Sequence, residues 1–107
     1  MAKKLIVVGL DCLEPSYAFE QWADSMPNLT RMRETGIFAR MCSSVPPITI
    51  PAWQCMVTSK DPGVLGFYGF RNRKDYSYDS FVFADGKAIR EPRVWDHLSK
   101  LGKKNII

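Results

Sequence analysis

The chain has 107 residues, of which 46% are hydrophobic and 24% charged, and its net charge is +4 at pH 7. This composition excludes wholesale disorder and is enough for the modest core of one small domain. The basic residues occur in twos and threes rather than in a long run, so we expect no nucleic-acid partner. Three widely spaced cysteines without a C-x-x-C pair predict free thiols and a cytoplasmic protein, and no apolar stretch is long enough to cross a membrane.

The first half of the chain alternates between patterns typical of strands and of helices. Residues 4–10 form an apolar run typical of a strand buried in a parallel sheet, and Asp11 follows at the carboxyl edge, where such sheets bind ligands. We expect helices over residues 14–24 and 29–35, the second closed by glycine, and a second strand over residues 37–42.

The second half continues this alternation after a proline-rich segment. The sequence predicts a helix through Trp53, Met56 and Val57, and a second helix that ends at Gly102. Between these helices the sequence predicts a turn at 61–63, a surface loop at 71–78, a short strand at 81–83 and a turn at Asp85–Gly86. The second helix is expected to start at Pro92.

Residues 102–107 have the pattern of another strand opening, as residues 4–10 opened the first. From this we expect residues 1–107 to be the N-terminal part of a single, longer α/β domain. Its sheet would be mainly parallel and flanked by helices, and incomplete within this chain. The alternative is an edge strand that ends the protein.

The most distinctive segment is residues 45–53, where prolines lie on both sides of Thr49. Pro46 and Pro47 hold the chain extended, and Pro51 has the fixed φ that suits a first helical turn. Thr49 therefore lies at a helix entrance, where free backbone N–H groups and the helix dipole favour an anion. Its hydroxyl has two open roles, a helix cap or a nucleophile, and spacing alone favours the cap.

Asp11 and Thr49 both fall at predicted junctions between a strand and a helix. If the two strands are neighbours, both side chains project from the same edge of the sheet. A carboxylate is a hard oxygen ligand for a divalent metal, and a metal that also binds the Thr49 oxygen would favour its alkoxide. This arrangement suits attack on phosphorus, and the alternative for Asp11 is a cap or turn residue.

Five sequence blocks follow one another in an order that carries a family resemblance. They are the run at 7–11, Met-Pro-Asn-Leu at 26–29, the proline segment at 46–53, Thr-Ser-Lys-Asp-Pro-Gly at 58–63 and Gly-Phe-Tyr-Gly-Phe at 66–70. In this order they resemble the N-terminal part of the alkaline phosphatase superfamily. The most similar branch is the type I phosphodiesterase/nucleotide pyrophosphatase group, and the resemblance covers residues 4–73.

The resemblance implies an α/β hydrolase of phosphoric esters or nucleotides that uses two divalent metal ions, commonly zinc, with manganese or magnesium as alternatives. By position it makes Asp11 a metal ligand and Thr49 both a metal ligand and the nucleophile. Apart from the resemblance, the guanidiniums of Arg71 and Arg73 could fork onto phosphate oxygens and Asn72 could donate to one, which makes Arg71 and Asn72 weaker candidates for binding the substrate phosphate; the favoured alternative is a solvated loop. The chain departs from the family pattern in that Cys12 follows the aspartate and Ser59 stands in the Thr-x-Lys turn, both at positions where glycine is usual.

The metal ligands implied by the resemblance are incomplete in this chain. The family draws its remaining Asp and His ligands from later sequence, and the single histidine, His97, matches no family motif. One Asp and one Thr cannot close a zinc site of about four ligands, so we expect the isolated chain to be inactive. Two other functions stay open. One is a noncatalytic α/β module that binds a protein partner or a second copy through an uncovered sheet edge, and the other is a module that binds an anion or nucleotide at the Thr49 helix.

Overall fold

The computed structural model describes residues 4–107, so the first three residues of the predicted domain lie outside the described residues. The chain forms two compact units, which divide after residue 41. Its helices are α1 (Pro27–Thr35), α2 (Thr49–Thr58), α3 (Pro62–Leu65) and α4 (Val94–Lys100), preceded by a π-helical turn at Tyr17–Gln21 and a 3-10 turn at Ala23–Ser25. Strands β1 (Arg71–Arg73) and β2 (Phe81–Phe83) form one antiparallel pair.

Helix α1 of the first unit has the limits that its sequence dictates. Pro27 occupies the first turn, where its missing N–H group has no partner to lose. The helix ends at Gly36, whose N–H donates to the Met32 carbonyl oxygen at 2.9 Å. A Cβ atom on Gly36 would lie only 2.8 Å from that oxygen, so glycine is needed for this close approach. The helix predicted over residues 29–35 and its closure by glycine are confirmed.

The helix predicted over residues 14–24 is replaced by the π-helical turn and the 3-10 turn. The Trp22 N–H donates to the Tyr17 carbonyl oxygen at 2.8 Å, five residues back, which widens the turn. This wider turn brings the two rings into a stacked contact, with their centroids 4.9 Å apart. The π-helical turn and the stacked rings therefore occur together in place of the expected α-helix.

The remaining packing of the first unit is aromatic. Ala18 is completely buried, and the Phe19 ring meets the Phe38 ring edge-on at 4.7 Å. Arg33 joins these two residues, because its guanidinium lies 4.9 Å from the Phe38 ring centroid and its Nη1 donates to the Phe19 carbonyl oxygen at 2.7 Å.

The mainly parallel sheet expected from the sequence is not formed within residues 4–107. Residues 4–10, 37–42 and 102–107 contain no strand, and the side chains of Leu5 and Ile6 are 85% and 84% exposed. An apolar run becomes a buried strand only when neighbouring strands pair with its backbone and helices cover its faces. The helices and the small antiparallel sheet are compatible with α/β character, but this part of the chain offers no parallel partner.

The second unit, residues 42–107, has a small apolar core. Leu65, Phe67 and Ile89 are buried at its centre. Helix α2 contributes Ile50 and Cys55, which are half-buried against them, as is Ala84 after β2. The helix predicted through Trp53, Met56 and Val57 is confirmed as α2.

A one-turn helix, α3, follows α2 and carries Leu65 into the core. Asp61 caps it, because its Oδ1 accepts a hydrogen bond from the Val64 N–H at 2.9 Å. Gly66 ends it with a φ of 73°, a left-handed conformation that glycine adopts without strain. The turn expected at residues 61–63 is thus the start of this helix.

The β1–β2 hairpin pairs Arg71 with Phe83, Asn72 with Val82 and Arg73 with Phe81. The strand predicted at residues 81–83 is confirmed. The surface loop predicted at 71–78 is wrong in its first three residues, which form β1. Alternation explains why: Asn72 is buried while both flanking arginines are exposed, so this polar segment has the two faces of a strand.

Helix α4 confirms the helix predicted over residues 92–101, with slightly shorter limits. The Asp96 carboxylate accepts a hydrogen bond from the Arg93 N–H at 2.7 Å, which satisfies a free donor at the start of the helix. The chain leaves the helix through Gly102, whose φ is 67°. None of the helices in residues 4–107 is both long enough and apolar enough to cross a membrane.

Candidate functional site

Thr49 is the first residue of α2, and its hydroxyl does not cap the helix. The residue before it, Ile48, is extended, with φ −112° and ψ 146°, and no side chain makes a capping hydrogen bond there. The first backbone bond of the helix runs from the Ala52 N–H to the Ile48 carbonyl oxygen at 3.0 Å. The capping role that spacing alone favoured is therefore not the one observed, and the half-buried Thr49 hydroxyl is left for another partner.

The prolines shape the entrance of α2. Pro51 is fully buried and supplies no N–H group, so the backbone donors without an intrahelical partner include those of Thr49 and Ile50. Before the helix, the Ser44 hydroxyl donates to the Pro46 carbonyl oxygen at 2.9 Å, and the Val45–Pro46 peptide bond is cis. The entrance thus combines a free hydroxyl with two backbone N–H donors at the positive end of a helix.

Asn72 fixes the loop that lies beside this entrance. Its Oδ1 accepts a hydrogen bond from the Tyr68 N–H at 2.8 Å, and its Nδ2 donates to the Gly69 carbonyl oxygen at 2.9 Å. A Cβ atom added to Gly69 would lie 4.0 Å from Ile48 Cδ1, so the loop and the start of α2 are in contact. Asn72 is buried, and both atoms of its amide hold the loop.

Arg71 and Asn72, the two residues predicted to bind substrate, lie on opposite faces of β1. Side chains alternate along a strand, and here Asn72 is buried while Arg71 is exposed. The Arg71 guanidinium lies 4.5 Å from the Phe81 ring centroid on the outer face of the hairpin. Both residues nevertheless line one groove beside the hairpin, together with Asp75, while the Asn72 amide is engaged by the loop backbone.

Asp11 lies in the first unit and Thr49 in the second. Asp11 is exposed, and its Oδ1 accepts a hydrogen bond from the Cys12 N–H at 3.1 Å. This contact is typical of an aspartate in a turn, the alternative weighed for it from the sequence. This hydrogen bond uses one carboxylate oxygen, and the other oxygen remains the candidate to bind a metal.

The family relation is decided by a match over nearly the whole chain. Residues 5–106 match the family described as type I phosphodiesterase / nucleotide pyrophosphatase. The chain belongs to this family. Comparisons with curated proteins and with solved structures give no significant match. The resemblance seen in five sequence blocks is thus confirmed and extends beyond residue 73.

Membership of the type I phosphodiesterase family relates the chain to hydrolases that act on phosphoric esters, and the family is generally metal-dependent. Within residues 4–107, however, no group of three or more His, Cys, Asp or Glu side chains could hold a metal ion. A closed zinc site needs about four ligands. The described residues therefore do not fit a complete metal centre, and His97 lies on α4 with no such group around it.

The backbone is left-handed at both positions where the chain departs from the family pattern. Among the described residues other than glycine, Cys12 and Ser59 are the ones with positive φ, 61° and 57°. These are the two positions where the family resemblance leads us to expect glycine. The left-handed conformation explains that preference, because a side chain there approaches the following carbonyl oxygen. The backbone thus keeps the conformation that glycine would favour, although the side chains differ.

The third cysteine has a structural role. Burial raises the pKa of the Cys55 thiol, and the nearby Asp61 carboxylate raises it further. A thiol with a raised pKa is a poor nucleophile and a poor metal ligand at neutral pH. Cys55 therefore belongs to the core rather than to a reactive site.

Arg73, which the sequence indicated beside Arg71 as a residue that could reach a phosphate, also stacks on an aromatic ring. Its guanidinium lies 4.6 Å from the Tyr78 ring centroid. In the hairpin the Arg-x-Arg spacing at 71–73 lies opposite Phe-x-Phe at 81–83. That spacing places two cations and two rings on one face of a hairpin.

Proposed function

We propose that this chain is the nucleophile-bearing, N-terminal part of a hydrolase of phosphoric esters, with Thr49 as the nucleophile. The observation that supports this proposal is the half-buried Thr49 hydroxyl in the first turn of α2, where Ile48 holds the N-cap position and no side chain makes a capping bond. Family membership supplies the reaction class. Phosphodiesters, phosphomonoesters or nucleotides are the proposed substrates.

In this proposal the Thr49 oxygen attacks phosphorus in line with the ester oxygen that leaves. The new O–P bond forms as the old one breaks, the hydroxyl proton passes to solvent or the leaving group, and water then releases the phosphoryl group from Thr49. The N–H groups of Thr49 and Ile50 would donate to the equatorial oxygens, where negative charge increases in the transition state.

We further propose that Asp11 and Thr49 are two ligands of a site for two divalent cations, of which zinc is the first choice by family resemblance. Because the described residues do not complete such a site, the remaining ligands would come from a longer catalytic domain of which this chain is a part. A cytoplasmic location is proposed as well, since all three cysteines are free thiols.

The test compares Thr49 variants in the product of the complete reading frame that contains this sequence. Release of nitrophenol from bis(4-nitrophenyl) phosphate and from 4-nitrophenyl phosphate is measured with zinc, manganese or magnesium. Thr49→Ala should reduce turnover to background, while Thr49→Ser should retain part of it. The control is Thr35→Ala, which removes an exposed hydroxyl at the end of α1 and should leave turnover unchanged. Full activity in Thr49→Ala would contradict the nucleophile.

The same assay on the isolated 107-residue chain tests whether the site is incomplete. We expect no metal-stimulated release of nitrophenol from it. Turnover by the isolated chain that disappears in Thr49→Ala would overturn the proposal that further ligands are needed, while leaving the role of Thr49 in place.

One observation favours a second candidate function, a noncatalytic module that binds a protein partner or a second copy of the chain. Leu5, Ile6, Val7 and Val8 are each at least 70% exposed, although their sequence is typical of a buried strand. Size-exclusion chromatography combined with metal analysis separates the two functions. A stable metal-free oligomer without phosphoesterase activity supports the module, and a metal-loaded active protein supports the hydrolase.

A further inference from the structure

The loop at residues 66–70 lies against the start of α2, and the contact is made by Ile48. A Cβ atom on Gly69 would lie 4.0 Å from Ile48 Cδ1, so the loop backbone packs directly on the Ile48 side chain. Ile48 precedes Thr49 and holds the N-cap position of α2. Its side chain is 38% exposed, so the core does not enclose it, and the loop is one of the surfaces that orient it.

Ile48 also accepts the first hydrogen bond of α2. Its carbonyl oxygen bonds the Ala52 N–H at 3.0 Å, and its extended backbone sets the direction in which the helix begins. Thr49 follows directly, with a half-buried side chain. A movement of Ile48 would therefore move both the Thr49 hydroxyl and the free N–H groups next to it.

The two ends of the loop are fixed by the core, but its middle is not. Phe67 is buried in the core, and the Phe70 carbonyl oxygen accepts a hydrogen bond at 2.9 Å from the N–H of Ala84, which is half-buried against the same core. Between them, the Tyr68 side chain is 54% exposed and Gly69 has no side chain to pack. The position of these two residues therefore depends on hydrogen bonds.

Asn72 supplies those hydrogen bonds from the hairpin. Its Oδ1 accepts from the Tyr68 N–H at 2.8 Å, and its Nδ2 donates to the Gly69 carbonyl oxygen at 2.9 Å. The residue is buried, and pairing with Val82 fixes its backbone in β1. One amide thus joins two consecutive loop residues to the hairpin, and the second of them is the residue that meets Ile48.

We propose that Asn72 is a positioning residue for the reaction at Thr49. Its amide holds Gly69 against Ile48, and Ile48 in turn keeps the Thr49 hydroxyl and the adjacent N–H groups in place. This inference rests on the proposed function of Thr49 as the nucleophile. It gives Asn72 an effect on the reaction that is transmitted through the loop and needs no contact between its side chain and the substrate.

Amide hydrogen exchange on the chain of 107 residues measures this transmission without substrate. Asn72→Ala should accelerate exchange at Tyr68, which loses its acceptor, and at Ala52, whose acceptor is the Ile48 carbonyl oxygen, by tenfold or more at each. Asn72→Asp keeps an acceptor for Tyr68 but at neutral pH has no donor for Gly69. It should therefore release Ala52 as well.

Two references separate this local effect from a general loss of stability. The Ser59 N–H bonds the Cys55 carbonyl oxygen at the other end of α2, and its exchange should accelerate at least fivefold less than that of Ala52. Asn105→Ala removes a half-buried amide that donates to Ser99 Oγ at 2.9 Å, and it should leave Ala52 unchanged. Wild-type exchange at Ala52 in both Asn72 variants, or equal acceleration at Ala52 and Ser59, would overturn the proposal.

Turnover of bis(4-nitrophenyl) phosphate by the complete protein measures the consequence for Thr49. Asn72→Ala should lower kcat tenfold or more, corrected for the folded fraction by circular dichroism, and should change KM less than threefold. Ile48→Ala removes the contact from the other side and should also lower kcat. The two losses should not add in the double variant, because both act through one contact. Additive losses would overturn the proposal.

The Thr49→Ala variant distinguishes failure of this role from failure of the nucleophile. Full turnover in Thr49→Ala would overturn the nucleophile and this role with it. Wild-type kcat in Asn72→Ala, beside an inactive Thr49→Ala, would overturn the positioning role alone. A fall in kcat with unchanged exchange at Ala52 would also overturn it, because Asn72 would then act on the substrate directly.

Discussion

Replacing Ser59 by glycine should stabilise the chain, because Ser59 ends α2 in a left-handed conformation, with φ 57° and ψ 30°. A left-handed residue other than glycine costs about 1–2 kcal/mol. Glycine gives back about 0.5–1 kcal/mol of this through the greater freedom of the unfolded chain. The expected net gain is about 0.5–1 kcal/mol, which corresponds to a rise in Tm of about 2–8 °C for a domain of this size. The Ser59 N–H bond to the Cys55 carbonyl oxygen, 2.9 Å long, should be retained.

The gain is measured by thermal melting and by urea unfolding, both followed by circular dichroism. The midpoint of urea unfolding should rise, while the slope of the unfolding free energy against urea concentration stays the same, because unfolding exposes the same surface. Ser59→Ala removes the hydroxyl but keeps the backbone strain, so it should show no gain. Ser43→Gly adds flexibility at an exposed residue outside the left-handed region and should lower stability by about 0.4–1 kcal/mol. The reasoning is refuted if Ser59→Gly lowers Tm as Ser43→Gly does.

Four further predictions concern residues described above. Cys12→Gly should stabilise the first unit by about 0.5–1 kcal/mol in urea unfolding, because φ is 61° there; a loss would contradict the strain argument. Asn72→Ala should cost about 1–3 kcal/mol and accelerate amide exchange at Tyr68, whose N–H loses its acceptor; unchanged exchange would show that the loop holds without it. Native protein should show two fast thiols with a thiol reagent, Cys12 and Cys42, and slow Cys55. Because folding raises the pKa of Cys55, the contribution of its neutral thiol to stability is complete below about pH 9 and is lost as the pH rises beyond it. The Tm should therefore fall at alkaline pH, and this fall should be smaller in Cys55→Ala.

Local signals in the sequence were sufficient for elements that depend on few distant partners. Pro27 and Pro51 lie in first helical turns because their φ is fixed, Gly36 ends α1 because it lacks a Cβ atom, and Gly102 follows α4 in a left-handed conformation. The strand at 81–83 was predicted from a short apolar run followed by the turn signal Asp85–Gly86. These features act within a few residues, so a single sequence is enough to find them.

The expected strands at residues 4–10 and 37–42 show where this reasoning fails. Their apolar composition indicates a buried environment, but it does not contain the neighbours that would create one. The polar segment that forms β1 shows the opposite error, because pairing with β2 and burial of Asn72 make a strand out of residues with no apolar pattern. Both outcomes depend on pairing rather than on propensity.

For the candidate site, the sequence located the Thr49 helix entrance but could not determine how its hydroxyl is used. Capping and catalysis require the same residue at the same place, and only the geometry of Ile48 and the free hydroxyl distinguishes them. The pairing of Arg73 with Arg71 likewise depends on strand alternation, which is invisible in a segment expected to be a loop. The roles of Thr49 and Asp11 in chemistry stay predictions.

The alternation in β1 also limits how the surrounding loops can change in length. Asn72 faces inward to hold Tyr68 and Gly69, while the residues on either side of it face outward. A shift of the strand by one position would expose that amide and turn both guanidiniums towards the interior, where they would have no partners. Insertions between Gly66 and the strand should therefore be tolerated only when the added residues bulge out as loop and leave Asn72 paired with Val82 and facing inward.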